Sequence, residues 1–206
     1  AQIAWSPHSP SLLLCRVADR ADLLLVDYKA ETKKAVPTFR IVVTHFSWNP
    51  RVPNSILFAD GDGKVISLDI TNLKKQRSMW TIPPLVANKP ETGSVRDIIC
   101  SHGEPTFLAI RMDGQFFLCG SDSNEVAMSF EAPPGGASRI VWIDSISGDF
   151  LLGSKKAGVL RVYNVAHATC KEIIKVSRHG IYDIKRMSSE IFLIRLKNGQ
   201  ITQFNI

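Results

Sequence analysis

A turn followed by a strand recurs along this chain at nearly constant spacing, and this repeat constrains the fold more than any other feature. The strand follows a glycine turn and ends in a bulky residue, and its clearest copies are Gly63–Asp69, Gly158–Asn164 and Gly199–Asn205. Weaker copies begin at Ala21 and Gly114, so the turns stand at 21, 63, 114, 158 and 199, with steps of 42, 51, 44 and 41 residues. Self-similarity at such a period indicates an array of similar structural units.

A second motif, an apolar strand that enters a polar turn, repeats with the same spacing. Its two best copies are Ile3–Pro7 and Phe46–Pro50, and aligned positions fall at 5, 48, 100, 142 and 186, with steps of 43, 52, 42 and 44. Both motifs share one long step, which we assign to an insertion between Leu73 and Ser94. Within that insertion, residues 78–82 are expected to form the outer strand of their unit. The agreement of two motifs fixes the period.

The units themselves are predicted to be β-sheets. Short runs of Val, Ile, Leu and Phe alternate with Gly, Asp, Asn and Pro every 8–12 residues, and no long helical pattern interrupts them. The chain is 45% hydrophobic and 21% charged, which is ordinary globular usage. No apolar run reaches the roughly 18 residues that a membrane helix needs, so we expect no membrane insertion. The strand pattern predicts an all-β chain.

The repeat length and strand pattern resemble those of the WD40 family of β-propellers, whose repeats of about 40–45 residues form four-stranded blades. The positions of that family's Trp-Asp pair are held here by Val26-Asp27, Leu68-Asp69, Cys119-Gly120, Tyr163-Asn164 and Phe204-Asn205. The resemblance covers nearly the whole chain and implies one WD40-like propeller region over residues 1–206. Its blades are expected at approximately 1–40, 41–90, 91–135, 136–178 and 179–206.

About five four-stranded blades are visible in the sequence. The total number of blades in the ring is a separate question. The resemblance favours a seven-bladed ring, of which this chain would be the C-terminal part. Two alternatives are a five-bladed ring that closes imperfectly and an open array completed by a partner. An open blade would expose a sheet edge, which invites pairing with another chain.

The turns within the repeats predict tight hairpins. Asp62-Gly63, Asp113-Gly114, Ala157-Gly158 and Asn198-Gly199 stand between the second and third strands of their repeats. Glycine is the residue that supplies the positive φ of a two-residue hairpin turn. We therefore expect these glycines to have a structural role.

Catalytic and metal-binding patterns are not recognisable in the sequence. Gly153–Gly158 has the glycines of a phosphate loop but lacks its Lys-Ser/Thr, and a strand follows it instead of a helix. Asp60–Gly63 lacks the further oxygen ligands of a calcium loop. The four cysteines and five histidines show no zinc-ligand spacing. We expect no enzymatic activity, cofactor, metal or small-molecule substrate.

The resemblance implies a non-catalytic scaffold for protein–protein interactions, a propeller subunit or domain of a multiprotein complex. The candidate partner-binding residues are exposed cationic or aromatic groups in loops, namely Arg51, Lys74, Lys75, Arg77 and Trp80. The alternative for Trp80 is burial inside a blade, and for the cations it is a solvated loop. Because the net charge is +6, contact with RNA or DNA through basic loops is a second functional hypothesis. A chain of this length needs no disulfide, so we expect free cysteines, and free cysteines together with no recognisable signal peptide favour the cytoplasm or nucleus.

Overall fold

The residues that the structure describes form nineteen β-strands in five antiparallel sheets. The structure is a computed structural model that describes residues 2–17, 23–36, 38, 42–72, 76–83, 87, 94–100, 107–111, 113–120, 126–130, 135–144, 148–167 and 169–206. The all-β class and the propeller-like repeat predicted from the sequence are confirmed.

Each sheet is a meander in which the strands follow one another in chain order, and we call the sheets blades 1 to 5. Blade 1 contains β1 (Gln2–Trp5), β2 (Leu12–Arg16), β3 (Leu23–Asp27) and β4 (Thr32–Val36). Blade 2 contains β5 (Val43–Trp48), β6 (Ser55–Asp60), β7 (Lys64–Asp69) and β8 (Gln76–Thr81). Blade 3 contains β9 (Val95–Cys100), β10 (Phe107–Arg111), β11 (Phe116–Cys119) and β12 (Val126–Phe130). Blade 4 contains β13 (Ala137–Asp144), β14 (Asp149–Ser154), β15 (Gly158–Asn164) and β16 (Thr169–Ser177). Blade 5 contains β17 (Ile181–Arg186), β18 (Ile191–Leu196) and β19 (Ile201–Asn205).

The hydrophobic core is divided among the four interfaces between successive blades. All six residues of β6 and all five of β10 are buried, because these second strands are covered by a neighbouring blade on both faces. Their sequences are accordingly continuous apolar runs, whereas the outer strand β16 is mostly exposed and polar. Between blades 3 and 4, Phe116 meets Tyr163 edge to face at 5.1 Å and Phe150 stacks on Tyr163 at 5.6 Å. Such ring pairs are worth about 1 kcal/mol each beyond area burial.

The hairpin turns follow the expectation at three of the four glycines. Gly63, Gly114 and Gly199 have φ of 86°, 98° and 88°, the left-handed conformation that favours glycine. Gly158 is different, since its φ is not positive and a Cβ there would collide with the carbonyl oxygens of Ser177 and His179. At this turn glycine is required by the close approach of two chain segments. The predicted outer strand of blade 2 is present as β8.

The two outward faces of the array carry exposed apolar side chains. On blade 1, Ile3 is 66% and Trp5 55% exposed, and Trp5 meets the exposed Tyr28 edge to face at 5.7 Å. We call this face the blade 1 flank; it consists of Ile3, Trp5, Leu13, Cys15, Leu24, Val26 and Tyr28. On blade 5, Tyr182 is 56% and Ile201 64% exposed. Within the described residues, the far faces of blades 1 and 5 therefore do not cover each other.

Candidate functional site

The first strands of all five blades, β1, β5, β9, β13 and β17, line one central channel with a volume of about 680 Å³. In this arrangement every blade contributes its innermost strand to a shared surface. That surface is the concave site at which the rigid blades bring side chains from distant parts of the sequence together.

At one shared repeat position, each innermost strand places a polar residue at this channel. These residues are Gln2, His45, Asp97, Arg139 and Asp183, and we call them the polar belt. Each lies three positions before the aligned residue of the second repeat motif, at 5, 48, 100, 142 and 186. The sequence interpretation used that motif only to measure the period. The signal that would have found the belt is a repeat position that stays polar within otherwise apolar strands.

Two belt residues hold the next blade by hydrogen bonds to its innermost strand. The Gln2 side chain donates from Nε2 to the Phe46 carbonyl at 2.8 Å, and the Phe46 amide donates to Gln2 Oε1 at 3.2 Å. The Ile140 amide donates to Asp97 Oδ2 at 3.3 Å in the same way. Phe46 and Ile140 occupy the same repeat position, one residue after the belt. The polar belt therefore also holds neighbouring blades together by hydrogen bonds.

Arg139 joins three blades through its guanidinium. Nη1 lies 3.3 Å from Asp97 Oδ1 on blade 3, and Nε lies 3.1 Å from Asp183 Oδ1 on blade 5. The Nε contact is an ion pair without a hydrogen bond. Burial raises the pKa of the Asp97 carboxyl, while the Arg139 charge and the amides of Ile140 and Ile98 oppose that rise. Both channel carboxylates are thus committed to one arginine.

The environment of His45 inside the channel is positively charged. Burial is the largest cause that lowers its pKa, from 6.5 to about 4, and the charges of Arg139, Arg16 and Arg96 lower it further. The imidazole is consequently neutral at pH 7. Arg16 ends β2 and lines the channel, and its Nε is buried without a hydrogen-bond partner.

Further cations gather near the start of the innermost strands. Lys155 and Lys156 lie in the β14–β15 turn, Lys197 follows β18, and Arg96 is the second residue of β9. We call these four residues the basic mouth. The charge of Arg96 is the largest cause that lowers the pKa of Lys155, followed by burial and by the charges of Lys197 and Lys156. Among the described residues, no carboxylate forms an ion pair with Arg16 or with a basic-mouth residue.

Two tryptophans at the same repeat position behave differently. Trp48 Nε1 donates to the Ala4 carbonyl of the preceding blade at 3.0 Å. Trp142, which also lines the channel, is only 3% exposed, and its Nε1 has no hydrogen-bond partner. A buried N–H without an acceptor is rare in proteins. Trp142 is therefore a donor that the described part of the chain leaves unused.

Of the residues predicted from the sequence as partner-binding, Arg51 and Trp80 have described side chains, and neither lines the channel. Arg51 is exposed in the β5–β6 turn, where its amide donates to Asn49 Oδ1 at 2.9 Å. Lys74, Lys75 and the Arg77 side chain lie outside the described residues. Trp80 is not an exposed loop residue: it is 4% exposed, donates from Nε1 to the Gly120 carbonyl at 2.8 Å and packs edge-on against Phe107 at 5.0 Å. The indole of Trp80 fills the interface between blades 2 and 3.

Residues considered from the sequence as metal-binding candidates have structural roles. Asp60 accepts the amides of Asp62 and Lys64 at 2.9 and 2.7 Å and so closes the β6–β7 hairpin. Cys100 and Cys119 are buried, and burial raises the pKa of each thiol to about 12. Within the described part of the chain no three His, Cys, Asp or Glu residues are grouped as a metal site would require. That part of the chain also lacks a helix long and apolar enough to span a membrane.

One of the comparisons with known proteins supports the architecture. No family model and no curated protein matches the chain. Among solved structures, it superimposes on the β-propeller domain of Cps50 (Swd1) from Myceliophteria thermophila with a TM-score of 0.80 and 15% sequence identity. The match covers 99% of this chain and 64% of that domain. The chain thus spans somewhat less than two thirds of the structure it resembles.

Proposed function

We propose that this chain, which has a WD40-like β-propeller fold, is a non-catalytic scaffold that binds other proteins as a subunit or domain of a multiprotein complex. The observation that carries this proposal is a group of cations from several blades, of which Arg16 lines the channel, that form no ion pair within the described residues. Arg16 comes from blade 1, Arg96 from blade 3, Lys155 from blade 4 and Lys197 from blade 5. Their mutual repulsion costs stability, and a binding partner of opposite charge would offset that cost.

The non-catalytic part of the proposal is supported by the state of the titratable groups in the channel. Asp97 and Asp183 are paired with Arg139, and His45 is neutral. General acid–base catalysis needs a group whose pKa lies near the working pH. The lowered pKa of His45 lies well below that range.

The test is affinity purification of the tagged protein from the cells that express it, followed by identification of the proteins that accompany it. A charge-reversed variant, K155E/K197E, is compared with a control, K175E, which reverses the charge of an exposed lysine on the outer strand β16. We expect specific proteins to accompany the unaltered protein and K175E and to be lost from K155E/K197E. If no protein accompanies the unaltered chain above the level of a tag-only control, the scaffold proposal is wrong.

Contact with RNA or DNA is the second candidate function, because the same cations favour phosphates. A single strand that neutralises four cations gives a slope of about −3 for the logarithm of the binding constant against the logarithm of salt concentration. A measured slope of that size near physiological salt, with affinity lost in K155E/K197E, would favour nucleic acid over a protein partner.

We also propose that the five blades belong to a larger ring, with seven blades as the total. The exposed flank of blade 1 and the 64% coverage of the Cps50 (Swd1) domain support this reading. The four cysteines without a disulfide support a reducing compartment, the cytoplasm or nucleus.

A further inference from the structure

Arg16 lines the channel, and its side chain has a buried hydrogen-bond donor without an acceptor. Its Nε is shielded from solvent, it has no hydrogen-bond partner, and no carboxylate is paired with it in the described residues. A guanidinium in such a place is stabilised by an oxyanion, which accepts two of its N–H groups at once. Trp142 adds a second buried N–H donor, 97% removed from solvent, to the same channel.

The charge balance of the channel also favours an anion. Four cationic residues line it, namely Arg16, Arg139, Lys185 and Arg186, against two carboxylates, Asp97 and Asp183. Both carboxylates face Arg139, so neither compensates the other cations. The basic mouth extends this excess of positive charge outward from the channel.

The aromatic residues of the channel bear on the kind of anion that it binds. A channel of about 680 Å³ is of ordinary size for a ligand site. Proteins that bind single-stranded nucleic acid add bare aromatic rings on which bases stack. Both exposed rings that line the channel already have a partner: Trp5 meets Tyr28 edge to face at 5.7 Å, and the Arg195 guanidinium lies 4.9 Å from the ring centroid of Tyr182.

We infer that the central channel and its basic mouth bind an extended acidic segment of a partner protein. A carboxylate of that segment pairs with Arg16 inside the channel, and further carboxylates pair with Lys155 and Lys197 at the mouth. The inference rests on the proposed scaffold function, of which it names the partner's chemistry and the binding surface. The belt and the blade interfaces hold these cations in place before binding, which reduces the ordering cost.

Fluorescence anisotropy with a labelled deca-glutamate peptide tests the inference on the purified chain. Variant R16Q removes the charge inside the channel, K155E/K197E reverses the charge at the mouth, and K175E is the matched exposed control. We expect deca-glutamate to bind, deca-glutamine not to bind, and affinity to fall about tenfold or more in R16Q and in K155E/K197E, the effect of losing a single charge pair. K175E should stay within about twofold.

The inference is wrong if deca-glutamate does not bind the unaltered chain, and two further outcomes would overturn it. One is a deca-glutamate affinity that R16Q and K155E/K197E leave unchanged, with unaltered thermal melts showing that the variants are folded. The other is tighter binding of an oligo-dT decamer than of deca-glutamate, with the same loss in the variants, which identifies the site as a nucleic-acid site. If partner proteins are still captured by K155E/K197E while deca-glutamate does not bind, the scaffold function stands and the acidic-segment inference alone fails.

Discussion

At the scale of single residues, the polar belt shows how one repeat position can take different roles within one fold. Gln2 and Asp97 use their oxygens to accept an amide from the next blade. Arg139 bridges two blades by charge, whereas His45 stays neutral among cations. The position is polar because it faces the channel, and the choice of side chain decides whether it fastens neighbouring blades by hydrogen bonds or by ion pairs.

The neutral His45 predicts a specific pH dependence of stability. Its pKa in the folded chain, about 4, lies below the unfolded value of 6.5, so its stabilising contribution is complete above pH 6.5 and is lost as the pH falls towards 4. The loss amounts to about 3 kcal/mol. Urea unfolding at pH 7 and pH 4 should show that H45Q loses less stability over this interval than the unaltered chain. Parallel losses in both proteins would show that His45 is not buried neutral.

The two tryptophans at one repeat position provide a matched pair of substitutions. Trp48→Phe removes a hydrogen bond to the Ala4 carbonyl, whereas Trp142→Phe removes an N–H that has no acceptor. Both lose similar volume, so we expect Trp48→Phe to lower the free energy of unfolding by about 1 kcal/mol more than Trp142→Phe. Urea denaturation of the two variants measures this difference. Equal costs would mean that the Trp142 N–H finds an acceptor in solution.

At the scale of elements, the sequence predicted the strands because a buried second strand is a continuous apolar run and a hairpin turn contains Asp-Gly or Asn-Gly. Gly63, Gly114 and Gly199 followed that rule. The role of Gly158 could not be predicted, since a contact between segments far apart along the chain appears only when the blades pack. The burial of Trp80 could not be predicted for the same reason: an aromatic residue in an outer strand is buried or exposed according to how the neighbouring blade packs on it. The cations of the channel and of the basic mouth come from four blades and form no sequence motif.

The turn glycines predict a graded series of substitutions. Gly114→Ala combines a φ of 98° with a Cβ that would lie 2.5 Å from the Ala137 amide nitrogen, so we expect it to cost more than about 2 kcal/mol. Gly199→Ala has a φ of 88° but open space around the Cβ, so backbone strain alone should cost about 1 kcal/mol. Gly61→Ala, also in open space and without a positive φ, serves as the near-neutral control. Thermal melts that place Gly199→Ala below Gly114→Ala in stability would contradict this order.

At the scale of the whole molecule, the interfaces between successive blades are alike, while the two outward faces of the array differ. Each internal interface buries apolar residues from both blades. The blade 1 flank presents apolar side chains of the same kind to solvent, and the far face of blade 5 presents a mixture that includes Lys185, Arg195 and Gln203. A large exposed apolar face is characteristic of a surface that another structural unit covers. The internal interfaces make a further blade the best-matched occupant.

Cys15 on the blade 1 flank makes this ring completion measurable by thiol labelling. Cys15 is half-buried in the five-blade array, whereas Cys170 on the outer strand β16 is exposed. If a further blade covers the flank, a maleimide should label both thiols in the 206-residue chain but only Cys170 in a longer protein that contains the additional blades. Trp5→Lys should likewise lower the melting temperature of the longer protein and leave that of the 206-residue chain nearly unchanged, because Trp5 is 55% exposed there. Concentration-dependent protection of Cys15 in the 206-residue chain alone would instead mean that a second copy covers the flank, and equal labelling in both proteins would mean that the face remains open.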